Sequence, residues 1–411
     1  MPRMPRIAYS HDLRENHIEV VERKGFGHPD TMADHLAERL SREYSVYCQE
    51  RFGAVLHHNF DKLSLLGGSA HVEFGKGFLT QPIRVIVNGR ATRKFGNEEI
   101  PLEELITKWV EAFFSSRLPL ISVKKDLRII FEVSTQSSPG KIDAAGGDRG
   151  SRSRWFSPSS LRDLPELQRL HSNDTSAGVG YAPLSLLENC VLKLERGLNR
   201  SFAKRHTWMG GDIKVMGVRN GDTYEFTLCV PQIASQVRDI AEYVDNKRIV
   251  MRYVMSTLRK LGLDDPKVSL NTRDCEDVPE VYLTATGTSL ESGDEGIVGR
   301  GNRINGLITL QNAMSMEGAS GKNPVYHIGK LYNLCAQRVA EKLCTRLGHD
   351  VEVSVVSQSG RDLIDPWFIS VRTKKRMSSA GRLLADGIVR KELKAIPKIT
   401  KWLLDEAREL A

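Results

Sequence analysis

Between Thr284 and Lys330 the chain places nine of its 34 glycines in 47 residues, interleaved with Asp294, Arg300, Arg303, Lys322 and Lys330. Glycine lets backbone N–H groups approach a ligand closely and form concave anion nests, while Arg supplies a planar fork and Lys a point charge for phosphate. The segment therefore reads as a loop built for an anion, with a polyphosphate as its natural guest. Composition alone favours a solvated linker. The flanks argue for a held loop, because Val281–Thr284 reads as a strand entering and Val325–Leu347 as a long amphipathic helix leaving. Ser320-Gly321-Lys322-Asn323 lacks the upstream glycine spacing and the Ser or Thr after Lys of a Walker pattern, which disfavours an ordinary P-loop NTPase. The loop position of Lys322 predicts an accessible side chain.

At 411 residues, 40% hydrophobic and 27% charged, the chain has a globular composition and the length for two or three domains. Its formal net charge of +8 invites a nucleic-acid reading. The excess is spread along the chain apart from Arg149–Arg154 and Arg372–Arg376, and no nucleic-acid motif is present, so an anionic small substrate explains it equally well. The six cysteines show no paired spacing, which points away from zinc and disulfides and towards a reducing cytoplasm. No apolar run approaches the length of a membrane span and the N-terminus is charged rather than signal-like, so a cytoplasmic protein with no membrane partner is expected.

Residues 1–17 read as a polar tail or edge strand. Ile18–Lys24 reads as a short strand, followed by a Gly turn and a helix that starts at Pro29, repeats Met32, Leu36, Leu40 and Tyr44, and ends at Gly53. His28 and Asp30 thus lie at a helix N-terminus, where unpaired amides favour anions; the plainer readings are a turn residue and an N-terminal cap. Strand-like segments at Ala54–His58, Leu63–Leu66, His71–Phe74, Ile83–Val87 and Leu127–Val133 surround a helix at Leu102–Phe114. Ser134–Ser172, rich in Gly, Ser and Arg, reads as a mobile lid. Asn173–Pro183 is a second polar turn entering a helix over Leu187–Phe202, and Arg219-Asn220-Gly221-Asp222 is a hairpin signal between Gly211–Val218 and Thr223–Val230. One or two helices follow over Val237–Leu261, then strands at Val351–Ser357 and Phe368–Val371 and helices at Ser378–Leu393 and Pro397–Leu410. The pattern is a single intertwined α+β unit of three subdomains, roughly 18–133, 173–262 and 263–411, sharing one site.

Each polar turn is weak alone, but four feed a helix or hairpin: His28 with Asp30, Asp174, Asp212 with Lys214, and Asp294 through Lys322. Their carboxylates and cations are the inventory for a metal–polyphosphate complex. At these residues the chain resembles the archaeal-type S-adenosylmethionine synthetases. The resemblance is carried by Gly27-His28-Pro29-Asp30, Asn173-Asp174-Thr175-Ser176, Gly211-Asp212-Ile213-Lys214, Thr286-Gly287-Thr288-Ser289, Gly293-Asp294, Val298-Gly299-Arg300-Gly301-Asn302-Arg303 and Gly321-Lys322-Asn323-Pro324, and it runs from about Glu22 to about Asn333.

The resemblance implies three similar α+β units around a pseudo-threefold axis, sheets inward and helices outside, in a homodimer with active sites at the interface. It implies ATP and methionine as substrates, with Mg²⁺ and K⁺. Methionine sulfur would attack C5′ of ATP with tripolyphosphate leaving, and the tripolyphosphate would then be hydrolysed to phosphate and pyrophosphate. His28, Lys214, Arg300 and Lys322 would be catalytic, His28 as a donor to the leaving side. Asp212, Asp294, Arg303 and Gln136 would join them on ATP, Asp174 and Asp294 would position methionine, and Asp30, with Asp61 second, would hold metal. His57, His58, Asn59 and Asp61 match a further segment, in which the histidine pair reads as structural. The sequence departs from the pattern at Thr135–Gly140, Arg273-Asp274-Cys275, Asn312-Ala313 and Tyr326, which bears on substrate preference. Two alternatives follow: a homologue that adenosylates another thioether or a selenoether, and a non-catalytic regulatory or nucleic-acid-binding homologue using the basic clusters near Arg152 and Lys374.

Overall fold

None of the larger sheets is made from one stretch of chain. The computed structural model describes residues 6–135, 157–277, 280–405 and 410. Gln136, most of the altered 135–140 segment, the basic run at 149–154 and the greater part of the expected lid lie outside the described residues. The four-stranded sheet runs in the order Ile7–Ser10, Phe368–Thr373, Val351–Val356, Ala177–Ala182. One five-stranded sheet runs Leu127–Ser134, Ile83–Ala91, Ser64–Leu66, Glu295–Ile297, with His58–Asn59 also paired to Ile83–Ala91. The other runs Lys267–Leu270, Thr223–Cys229, Lys214–Asn220, Ile18–Lys24, Ile308–Thr309.

The longer helices are α1 (Pro29–Phe52), α2 (Leu102–Arg117), α3 (Leu186–Gly197), α4 (Ile240–Lys260), α5 (Ile328–Leu347), α6 (Ser379–Lys394) and α7 (Ile396–Asp405). Each large sheet owns a core. Leu36 and Leu40 of α1 and Ile106 and Phe114 of α2 pack with Ile83 and Val85. Leu331 and Val339 of α5 and Val389 of α6 pack with Val353 and Val371, which face each other in antiparallel register. Val191 and Leu194 of α3 and Val254 of α4 pack with Val215 and Phe226. Three apolar faces, each burying its own helices, give three centres of stability rather than one.

Local chemistry explains the element ends. Pro29 opens α1 and Gly53, at φ 78°, closes it in the left-handed region where glycine costs least. Asp239 caps one continuous helix, α4, where one or two helices were open. His327 caps α5, so that helix starts three residues after the Val325 expected for it. Gly178 and Gly180 let α5 lie directly on the strand Ala177–Ala182, because a Cβ at either would fall 2.3 Å from the helix backbone.

Candidate active site

The Gly-rich segment is stitched across the fold by short strands. Leu283–Thr284 pairs with Gln232–Ile233, Glu295–Ile297 with Ser64–Leu66, and Ile308–Thr309 with Ile18–Lys24. Between these stitches it lies along one face of α1. Asp30, Asp34 and Glu38 recur one helical turn apart, all buried. Asp30 accepts from the Ile297 amide at 3.0 Å, Asp34 from Gly299 at 2.8 Å and Gly301 at 3.1 Å, and Glu38 from Gly321 at 3.0 Å. Glu38 also receives the buried Lys330 ammonium at 2.7 Å. Buried carboxylates are costly unless they collect charge-assisted bonds, and here loop amides supply them. Burial pushes Asp34 up to about 6 against the pull of Gly299 and of the Arg303 guanidinium. Gly296 must be glycine, since a Cβ there would sit 2.1 Å from the Pro29 carbonyl oxygen.

Three motif turns meet at the N-terminal end of α1. The Gly27 amide donates to Gly211 at 2.9 Å, Asp212 to Gly287 at 3.0 Å, and the Thr288 hydroxyl to the Gly27 carbonyl at 2.6 Å. His28 caps the helix, its Nδ1 accepting from the Asp30 amide at 3.2 Å. A neutral ring with Nδ1 as acceptor carries its hydrogen on Nε2, so His28 keeps a donor for a ligand. Burial lowers its pKa, opposed by the Asp212 carboxylate and assisted by Lys24. Asp212 is pushed up by burial, against His28 and the Ser289 donors. The Ser289 hydroxyl lies 2.6 Å from Asp212 and 2.9 Å from Asp294.

Across the antiparallel pair Lys24 faces Lys214, an arrangement that repels unless carboxylates intervene. Lys24 Nζ lies 2.8 Å from Asp30, 2.9 Å from the Arg300 carbonyl and 3.9 Å from Glu22, whose Oε1 is also 3.1 Å from Lys214 Nζ. That Glu22 oxygen is buried without a hydrogen bond of acceptable geometry. The Lys214 side chain is 39% exposed. Arg300 is exposed, and its guanidinium has no partner among the described residues. His28, Asp30, Asp212, Lys214, Asp294 and Arg300 are therefore brought together.

Lys322 lies elsewhere. It is 5% exposed, which corrects the expectation of an accessible side chain, because Phe60 donates to Gly321 at 2.8 Å and Lys322 bridges to Asn59, drawing the loop against the strand. Its Nζ sits 2.7 Å from Asp61 and 2.9 Å from Glu317. Burial opposes ionisation of Asp61, but Lys322 and Lys62 outweigh it and hold that carboxyl at about 2. Arg303, expected on phosphate, is turned inward onto the Gly299 carbonyl at 2.6 Å and the Gly301 carbonyl at 2.7 Å. Asp174 is exposed and accepts from Thr175 N at 2.7 Å, while its neighbour Asn173 accepts from Ile328 N at 3.2 Å at the start of α5. No hydrogen bond or ion pair among the described residues joins Lys322 or Asp174 to the His28 group.

Sequence reasoning gave no site role to Glu22, Lys24, Asp34, Glu38 or Ser289, and counted Lys330 only among the cations of the anion loop. The four-residue spacing from Asp30 to Asp34 and Glu38 was the available signal for two of them. Within the departing segments, Asp274, which keeps the expected carboxylate, and the replacements Asn312 and Tyr326 act as supports. Asp274 gathers Tyr243 at 2.8 Å and Lys247 at 2.7 Å, Asn312 donates to Glu188 at 2.8 Å, and Tyr326 stacks on His57 with ring centroids 4.8 Å apart. Among the described residues no three His, Cys, Asp or Glu side chains are grouped to hold a metal, and no helix is long and apolar enough to cross a membrane.

A family model for S-adenosylmethionine synthetase (AdoMet synthetase) matches residues 6–142 and 157–407. S-adenosylmethionine synthase of Thermoplasma volcanium is 39% identical over 360 residues, covering 86% of this chain and 85% of that protein. The enzyme of Pyrobaculum neutrophilum is 39% identical over 401 residues, covering 94% of each, and a probable S-adenosylmethionine synthase of Aquifex aeolicus is 38% identical over 403 residues, covering 97% and 96%. Among solved structures, an unusual S-adenosylmethionine synthetase from Campylobacter jejuni aligns with a TM-score of 0.56 at 12% identity, covering 91% of this chain and 88% of that one, which bears on the fold alone.

Proposed function

The chain belongs to the S-adenosylmethionine synthetase family, and on that premise we propose that it is a methionine adenosyltransferase that forms S-adenosyl-L-methionine from ATP and L-methionine. The methionine sulfur forms a bond to C5′ as the C5′–O bond breaks, and the electron pair leaves with the tripolyphosphate, which is then hydrolysed to phosphate and pyrophosphate. This displacement transfers no proton. Aligning sulfur, carbon and oxygen and countering charge on the departing oxygens supply most of the acceleration.

The observation that carries this reading is the convergence of the three glycine turns on the α1 N-terminus, with Lys214 and Arg300 beside it. Lys214 and Arg300 bind the phosphates, and the Nε2–H of His28 donates to the leaving side. Asp212 and Asp294 hold nucleotide or methionine groups through Ser289. Asp30 and Glu22, both against Lys24, would hold Mg²⁺; the Glu22 oxygen, ion-paired with Lys24 and Lys214 but without a hydrogen bond, and the hard carboxylate set suit that ion. When bound, that ion neutralises phosphate charge. Monovalent-cation dependence on K⁺ is part of the same reading.

One chain leaves Lys322, Asp61 and Asp174 apart from His28. That separation supports a homodimer in which the partner supplies the missing groups to each site, built on three units related by a pseudo-threefold axis and working in the cytoplasm. The nucleic-acid alternative loses support at Arg372–Arg376, because Arg372 pairs with Asp12 at 3.2 Å and Glu352 at 2.7 Å, and Lys374 with Glu15 at 3.2 Å. Incubation with ATP, Mg²⁺, K⁺ and methionine, followed by mass spectrometry, tests the function. The sulfonium product with one phosphate and one pyrophosphate is expected, and unchanged ATP would reject it; a product formed only from another thioether or a selenoether would favour the divergent homologue.

A further inference from the structure

Lys322 is held by its backbone as well as by its ammonium group. The Ser41 hydroxyl, on the buried face of α1, lies 3.0 Å from the Lys322 carbonyl and 2.8 Å from Nε2 of His58. His58 Nδ1 lies 2.9 Å from the Leu56 carbonyl, and Asn323 Nδ2 reaches the same carbonyl at 3.2 Å. A carbonyl can only accept, so Nδ1 bears the ring hydrogen and Nε2 is left as an acceptor in the neutral ring. Burial favours that neutral ring, drawing its pKa down to about 3. One Ser41 hydrogen thus serves two acceptors, the imidazole and the Lys322 peptide. Ser41, His58 and Asn323 are all at most 1% exposed. A second strap lies four residues on, where the Tyr326 hydroxyl bonds Nδ1 of His57.

We propose that Ser41 and His58 are positioning residues for the reaction: with Asn323 they fix the Lys322 peptide and thereby the reach of its ammonium group. This rests on the reading of Lys322 as a phosphate-binding residue. Misplacement of such a group by a fraction of an ångström is felt in turnover more than in binding. The histidine pair that reads as merely structural in sequence would then have one member coupled to the chemistry.

Ser41→Ala removes only the bridging hydroxyl and is made in two backgrounds, wild type and Lys322→Met, with kcat, KM for ATP and methionine, and Tm measured for each. In the wild-type background kcat falls about 10-fold with both KM values within about 2-fold; in the Lys322→Met background, itself about 100-fold or more slower, Ser41→Ala produces no further fall. Equal proportional losses in both backgrounds would make Ser41 a general structural residue and overturn this inference while leaving the proposed function intact. Full turnover by Lys322→Met would overturn both this inference and the reading of Lys322 as a phosphate-binding residue, with the proposed activity itself left standing. If Lys322→Met fails to fold, Lys322→Gln, which removes the cation but can still donate to Asp61, serves as the second background with the same criteria. His58→Gln, which retains an acceptor near Nε2, is expected to keep more turnover than His58→Leu.

Discussion

The two ends of the acidic face of α1 use the same residue types to opposite purposes. At the first turn, Lys214 stands 39% exposed and Arg300 is open to solvent, held in place by backbone bonds and by strand register. Two turns further on, Lys322 and Lys330 expose 7% and 1% of their side chains and each is matched by carboxylates. A cation fixed through its backbone remains available to a ligand, whereas a buried one must be neutralised by the fold before any ligand arrives. On the proposed reading Lys322 carries two duties at once, and Lys330 only the structural one.

The sharpest way to break this contrast is Glu38→Ala. It leaves the Lys330 ammonium buried without its partner, and a loss of about 3 to 5 kcal/mol of stability is expected by chemical denaturation. A melting temperature near wild type would mean that the deep end is not a structural clamp. Lys322→Ala comes next. It strands Asp61 and Glu317, so a loss of about 1 to 3 kcal/mol should accompany the loss of turnover, whereas Lys214→Ala should lose turnover with a stability change within about 0.5 kcal/mol. Equal stability losses in the two variants would erase the distinction.

The pH dependence gives the smallest effect. Asp34 is raised to about 6 in the folded chain, above an unfolded value of about 4. Its stability contribution is present below the unfolded value and is lost as pH rises through the folded one. Asp61, held at about 2, does the reverse, contributing above its unfolded value and losing that contribution as pH falls towards 2. Asp34→Asn should flatten a decline on the order of 1 kcal/mol per pH unit between roughly pH 4 and 6, and Asp61→Asn the acid-side fall below that window. An unchanged slope in Asp34→Asn would show that Asp34 does not titrate there.

Much of the first turn was legible in the sequence. Pro29, the apolar repeat of α1 and Gly53 mark the helix locally, and a hairpin turn at Asn220-Gly221 announces the strand that carries Lys214. The strand and helix flanking the glycine-rich loop announced a held segment. The partners of that segment were not legible, because Lys322 meets Asp61 and Glu38 meets Gly321 across hundreds of residues with no local mark. The same holds for the strand Ile18–Lys24, seated between Lys214–Asn220 and Ile308–Thr309. The inward turn of Arg303 follows from carbonyls that the Asp34-bound amides leave facing it, a consequence of packing rather than of composition. Gln136 lies outside the described residues.

The central claim is that the exposed end of α1 grips the phosphate chain of the nucleotide. Calorimetric titration with inorganic tripolyphosphate in Mg²⁺ measures this without turnover of methionine. Binding by the wild-type protein, weakened about 10-fold or more in each of Lys214→Ala and Arg300→Ala with unchanged Tm, is the predicted result. Tripolyphosphate affinity indifferent to both substitutions would contradict the account.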